Sequence, residues 1–113
     1  MIYISVADTS ITPAKQKLIT KSTTLGMGHV GKQLVCNATS AITITIPAKT
    51  FPDFTEIEVF NANGGSVTFA AAAGVTIITE NENTAPEVSS KGKSACLKLM
   101  TVLGANTWSI QGV

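Results

Sequence analysis

The residues of this 113-residue chain with the most obvious chemical potential are His29, Cys36, Cys96 and the string "GMGHVG" from Gly26 to Gly31. That string matches the G-x-G-x-x-G fingerprint of dinucleotide folds letter for letter. The fingerprint works because a strand enters the glycine turn and a helix leaves it, aiming amide groups at a pyrophosphate. Here "KQLVCNATSAITITIP" follows, which is strand material, so the string reads as a glycine loop. His29 is the single histidine. A histidine metal cluster or a Ser-His-Asp set therefore has one candidate and no companions, and an exposed loop histidine is expected. Cys36 and Cys96 are far apart, each inside an apolar run, and two cysteines supply too few ligands for zinc; both are expected to be buried small hydrophobes. Glu56 and Glu58 share one face of a strand and could hold a cation, although solvated outer-face charge is the commoner use. Asp53, Glu80 and Glu82 form no acid/base pair. Asn37-Ala38-Thr39 fits a glycosylation sequon, which matters only in a secretory pathway. No catalytic, cofactor-binding or metal-binding residue is assigned, and the chain is not expected to be an enzyme.

Composition narrows the partners. Charged residues make up 13% of the chain, the net charge is +1 and all eight basic residues are lysine. Phosphate recognition favours clustered cations and the guanidinium fork, so nucleic acid is not expected as a partner. No stretch approaches a membrane span, and Met1 leads into "IYISVADTSITPAKQK" without the basic start and apolar run of a signal peptide. The length and the 44% hydrophobic content suit a single domain with a modest core.

The elements that must position any site read as strands. "AITITIP" sets Ile42, Ile44 and Ile46 on one side and Thr43 and Thr45 on the other. "TEIEVFN" puts Ile57 and Val59 inward with Glu56 and Glu58 outward. "SVTFA" buries Val67 and Phe69, and "GVTIIT" buries Val75 and Ile77. "SACLKLMTV" and "NTWSIQG" form a further pair around Leu103-Gly104-Ala105, with Trp108 and Ile110 inward. With "GKQLVCN" and "MIYISVA", about eight short strands fill the chain, and no segment carries a capped helical stripe. Short connections favour antiparallel neighbours. "NANGG" has hairpin chemistry, and "AAAAG" is a corner where small side chains let the chain bend. "TENENTAPEVSSKGKS", Thr79 to Ser94, is an exposed excursion suited to contacts.

From Ile42 to Gly112 the order of these segments resembles a small module of tailed-bacteriophage virion proteins. That pattern has a Thr/Ile strand ending in Pro, a G-T-x-I-x-V-x-N strand, a G-x-V-T-x-A-A-x-x-G-V-T-I hairpin and a closing A-x-L … N-x-W-x-x-x-G pair. Val67, Thr68, Ala70, Ala71, Gly74, Val75, Thr76 and Ile77 carry the hairpin; Ala95, Leu97, Leu99, Asn106, Trp108 and Gly112 carry the end. Two departures stand out. "DFTE" replaces the glycine before the second strand, and acidic "ENENTAPE" fills a loop that is commonly shorter and Gly/Ser-rich.

The resemblance implies an all-β fold, a single-domain antiparallel β-sandwich of jelly-roll type (25–113) with an extended N-terminal arm (1–24). It also implies a virion structural protein. A chain that opens at Met1 and closes on its last strand, without shaft or coiled coil, is expected to be a free-standing decoration or cement protein. Such a protein sits on the outer surface of the capsid, binds the major capsid protein and works as a homo-oligomer, dimer or trimer. The alternative is a tail-fibre or tail-associated module that binds a receptor or glycan. The arm is expected to supply partner contacts through Ile2, Tyr3, Ile4, Val6, Ile11, Leu18 and Ile19, the alternative for its leading apolar segment being the first strand of the chain's own sandwich.

Overall fold

A computed structural model describes residues 15–48 and 51–113. In chain order the strands are β1 (Gln16–Ile19), β2 (Thr23–Thr24), β3 (Gln33–Cys36), β4 (Ile42–Ile46), β5 (Glu56–Asn61), β6 (Val67–Ala71), β7 (Thr76–Thr79), β8 (Glu87–Val88), β9 (Ser94–Leu99) and β10 (Thr107–Gln111). They form two sheets, β1-β3-β5-β9-β10-β7 and β2-β4-β6-β8. The fold is all-β, as the two-residue periodicity requires.

The pairing corrects the antiparallel expectation. β1, β3 and β5 are mutually parallel neighbours, as are β2, β4 and β6, and β7 runs parallel to β10. Among the described residues only β5 with β9, β9 with β10 and β6 with β8 are antiparallel. Parallel neighbours need a crossover of a dozen or more residues, which short loops within one sheet could not supply. The chain obtains it by visiting the opposite sheet between neighbours. Gln16 lies opposite Gln33, and Gln33 opposite Glu58, so successive circuits take 17 and 25 residues. From β1 to β6 the path is a flattened coil, and a jelly-roll order does not describe it. "NANGG" and "AAAAG" therefore make corners between sheets rather than hairpins: β5 and β6 lie in different sheets, and so do β6 and β7.

Both sheets turn their alternate residues into one apolar cluster. Ile42, Ile44, Ile46, Val67, Phe69 and Val88 come from the smaller sheet; Leu34, Ile57, Val59, Leu97, Trp108 and Ile110 come from the larger. The threonines of β4 and the glutamates of β5 face away, as expected. Val75 and Ile77 are half-buried at the rim of this cluster rather than inside it. Phe51, from the β4–β5 connection, closes the core edge-on against Trp108, with ring centres 5.4 Å apart at 85°.

The corner after β5 shows how little freedom these junctions have. Asn61 is buried, and its side-chain amide nitrogen donates to the Gly65 and Val88 carbonyls while its oxygen accepts from the amides of Asn63 and Gly64. One side chain thus ties β5, the corner and β8 of the other sheet. Gly65 lies so close to the β3–β4 connection that a Cβ would strike the Ser40 carbonyl oxygen and come within 2.6 Å of that of Ala38. Only glycine fits there.

Residues 15–24 of the expected arm belong to the sheets, β1 pairing with β3 and β2 with β4. Of the expected contact residues, Leu18 is exposed on the outer face and Ile19 is buried in the core. Ile2, Tyr3, Ile4, Val6 and Ile11 lie outside the described residues.

Candidate binding surface

Two surfaces stand out, one polar and one apolar. On the outer face of the larger sheet, strand register aligns Gln16, Gln33, Glu58, Cys96 and Gln111 in a single row. Gln16 donates its amide to the Gln33 side-chain oxygen at 2.7 Å, and beside the row Lys98 meets Glu56 at 3.6 Å. Gln33, Glu58, Cys96 and Gln111 of this row, with Lys32 and Ser94, line a shallow trough of about 640 Å³. Both ends of the Glu56–Lys98 pair are substantially exposed, so it adds little to stability.

The potentially reactive groups are set up for packing. His29 closes a single 3-10 turn, Met27–His29, and its Nδ1 accepts the Gly26 amide at 2.9 Å. It is 8% exposed, which corrects the expectation of an exposed histidine. Burial, with Lys17 nearby, holds its pKa below 6.5. The "GMGHVG" string thus runs from β2 through this turn directly into β3, and no helix follows to present amides to a phosphate. Cys36 is buried, with its thiol pushed up to about 11 by desolvation. Cys96 is half-buried and faces outward, a correction to the expectation of two core cysteines. Its thiol is also raised, by burial first and then by Glu56, so it is a protonated, weak nucleophile at neutral pH. Among the described residues no three His, Cys, Asp or Glu side chains are grouped to hold a metal ion, and no helix is long and apolar enough to cross a membrane.

The apolar surface is built by the β9–β10 hairpin and the turn before β5. The hairpin closes through Met100 N–H to the Thr107 carbonyl and Leu103 N–H to the Met100 carbonyl, which pushes Val102 and Leu103 outward. Across from it, Thr55 is buried, its hydroxyl donating to the Pro52 carbonyl and its own carbonyl accepting the Leu99 amide. With both neighbouring segments pinned, Phe54 is held away from the protein. Phe54 is 92% exposed and Val102 98% exposed. With Asp53, Leu99, Met100 and Leu103 they border a cleft of about 550 Å³.

Phe54 also has φ 65°, in the left-handed region that bulky side chains rarely enter. In the G-T-x-I-x-V-x-N pattern the glycine falls at Phe54, with Thr55, Ile57, Val59 and Asn61 on the following positions. Phe54 thus carries a ring on a backbone shape that glycine would adopt without strain. The missing glycine is visible in the sequence; the direction of the ring is not. No protein-family model matches the chain, and no curated protein is significantly similar to it.

Proposed function

We propose that this chain is a structural protein of a bacteriophage virion, of the decoration or cement type, which docks on the outer surface of the shell built by the major capsid protein. The observation that carries the reading is Phe54. A large apolar side chain is held almost fully in water on a backbone conformation that costs about 1–3 kcal/mol for a residue other than glycine. Among the described residues nothing offsets either cost, and a partner surface that buries the ring would. Val102, Leu103 and Met100 beside it make the patch contiguous, the pattern of a binding anchor rather than of scattered exposed residues. The resemblance from Ile42 to Gly112 supplies the class of partner. A low-charge body of two sheets closing as a sandwich on one core is a stiff mount for such an anchor, and copies repeated over a shell multiply a modest contact.

The test is to prepare particles lacking the protein and add it back. Shells that assemble but break at lower temperature, and regain resistance with the added protein, support the proposal. Particles that are equally tough but fail to adsorb to cells would assign the protein to the tail, as a receptor-binding module.

A further inference from the structure

The six-stranded sheet ends in two unlike edges, and we propose that they fit each other: the outer edge of β7 in one copy pairs with the outer edge of β1 in a second copy, so that the sheet continues from molecule to molecule. Each edge strand has one strand neighbour among the described residues, β3 for β1 and β10 for β7, leaving alternate backbone groups of both free to pair.

Four features of the two edges agree. Direction is the first. β1, β3 and β5 run the same way, β9 reverses, β10 reverses again and β7 follows β10, so β1 and β7 point in the same direction from opposite edges. A second copy added along the sheet therefore presents β1 parallel to β7, the sense of pairing that both strands already use. Length is the second, since each strand has four residues.

The third is facing. Ile19 and Ile77 turn toward the core, while Leu18 and Ile78 face out, 62% and 45% exposed. With Gln16 opposite Thr76, Leu18 lies opposite Ile78, and Ile78 extends the outer-face row Leu18–Val35–Phe60 of the next copy. A slip of one residue would reverse every side chain, so this register preserves both faces.

Charge is the fourth. Exposed Lys15 and Lys21 flank β1, exposed Lys17 lies within it, and exposed Glu80 and Glu82 follow β7. In the parallel arrangement Lys21 and Glu80 both lie just beyond the C-terminal ends of the paired strands, at the same end of the contact. The contact is heterologous, joining different surfaces of the two molecules, and so builds a ring or an open row. It does not depend on the apolar tip or on what that tip binds.

The test is cross-linking in the full chain with Cys96→Ser, which removes the outward thiol. Leu18→Cys and Ile78→Cys proteins are made separately, checked for native circular dichroism, and oxidised alone and mixed. The expected result is a covalent pair in the mixture containing one copy of each, with neither protein pairing with itself. Self-linking of Leu18→Cys would mean a two-fold contact between β1 edges and would overturn the proposal. Absence of the mixed product, with both thiols titratable, would also overturn it. Independently, Lys21→Glu should weaken concentration-dependent association in sedimentation velocity by about tenfold, and mixing with a Glu80→Lys, Glu82→Lys protein should recover it. Association unaffected by either change would count against the pairing.

Discussion

Replacing Phe54 with glycine should make the protein more stable, although it removes an aromatic ring. A residue other than glycine in the left-handed region costs about 1–2 kcal/mol, and Phe54 sits there at φ 65°. Glycine removes that cost but returns about 0.5–1 kcal/mol through the greater freedom of the unfolded chain. Because the side chain is 92% exposed, little burial is lost with it. The net gain is about 0.5–1 kcal/mol, a rise in thermal midpoint of about 2–6 °C for a domain of this size. Phe54→Ala is the control: it removes the ring but keeps the Cβ and hence most of the strain, so its midpoint should stay near that of the parent. Calorimetry of the three proteins separates the cases. A midpoint for Phe54→Gly at or below that of Phe54→Ala would refute the argument and show that the ring stabilises its own molecule.

Other consequences follow from the packing. Asn61→Ala leaves the Gly65 and Val88 carbonyls and the Asn63 and Gly64 amides without their side-chain partner and should cost about 3 kcal/mol in urea unfolding; a loss below about 1 kcal/mol would mean that water replaces the side chain. Gly65→Ala should cost about 2 kcal/mol or more in the same assay, because the atom it would strike is backbone. For His29 the folded pKa lies below 6.5, so the unfolded chain binds the extra proton first. Its contribution is complete above that value and declines as pH falls through 6.5 toward the lower folded pKa. Stability measured between pH 7.5 and 5 should therefore fall less in His29→Gln than in the parent; identical slopes would contradict the assignment. Cys96 should react with a thiol reagent in the native protein while Cys36 reacts only on unfolding; prompt reaction of both would contradict the buried position of Cys36.

Much of the inward pattern was legible in the sequence. The alternation in "ITITI", "EIEV" and "TWSI" identifies inward residues directly, because the period of two depends only on the strand itself. The partner of each strand is another matter. "NANGG" and "AAAAG" encode a sharp change of direction, and the same turn chemistry serves a hairpin within one sheet or a corner between two, so local signals could not separate antiparallel neighbours from a coil. His29 departs from expectation for a related reason: a glycine-rich string suggests exposure, whereas its imidazole folds back onto the Gly26 amide and closes its own turn. Phe54 is not legible in this way. Its significance lies in a backbone angle and an exposure, and neither is written in the residue type.

The most direct test of the account is binding of the parent and of Phe54→Gly to capsid shells that lack the protein, measured by co-sedimentation across a concentration series. Burying one phenylalanine ring is worth about 2 kcal/mol, so the account predicts that half-occupancy shifts to about thirtyfold higher concentration for a variant at least as stable as the parent. Equal occupancy of the two proteins at every concentration would contradict it.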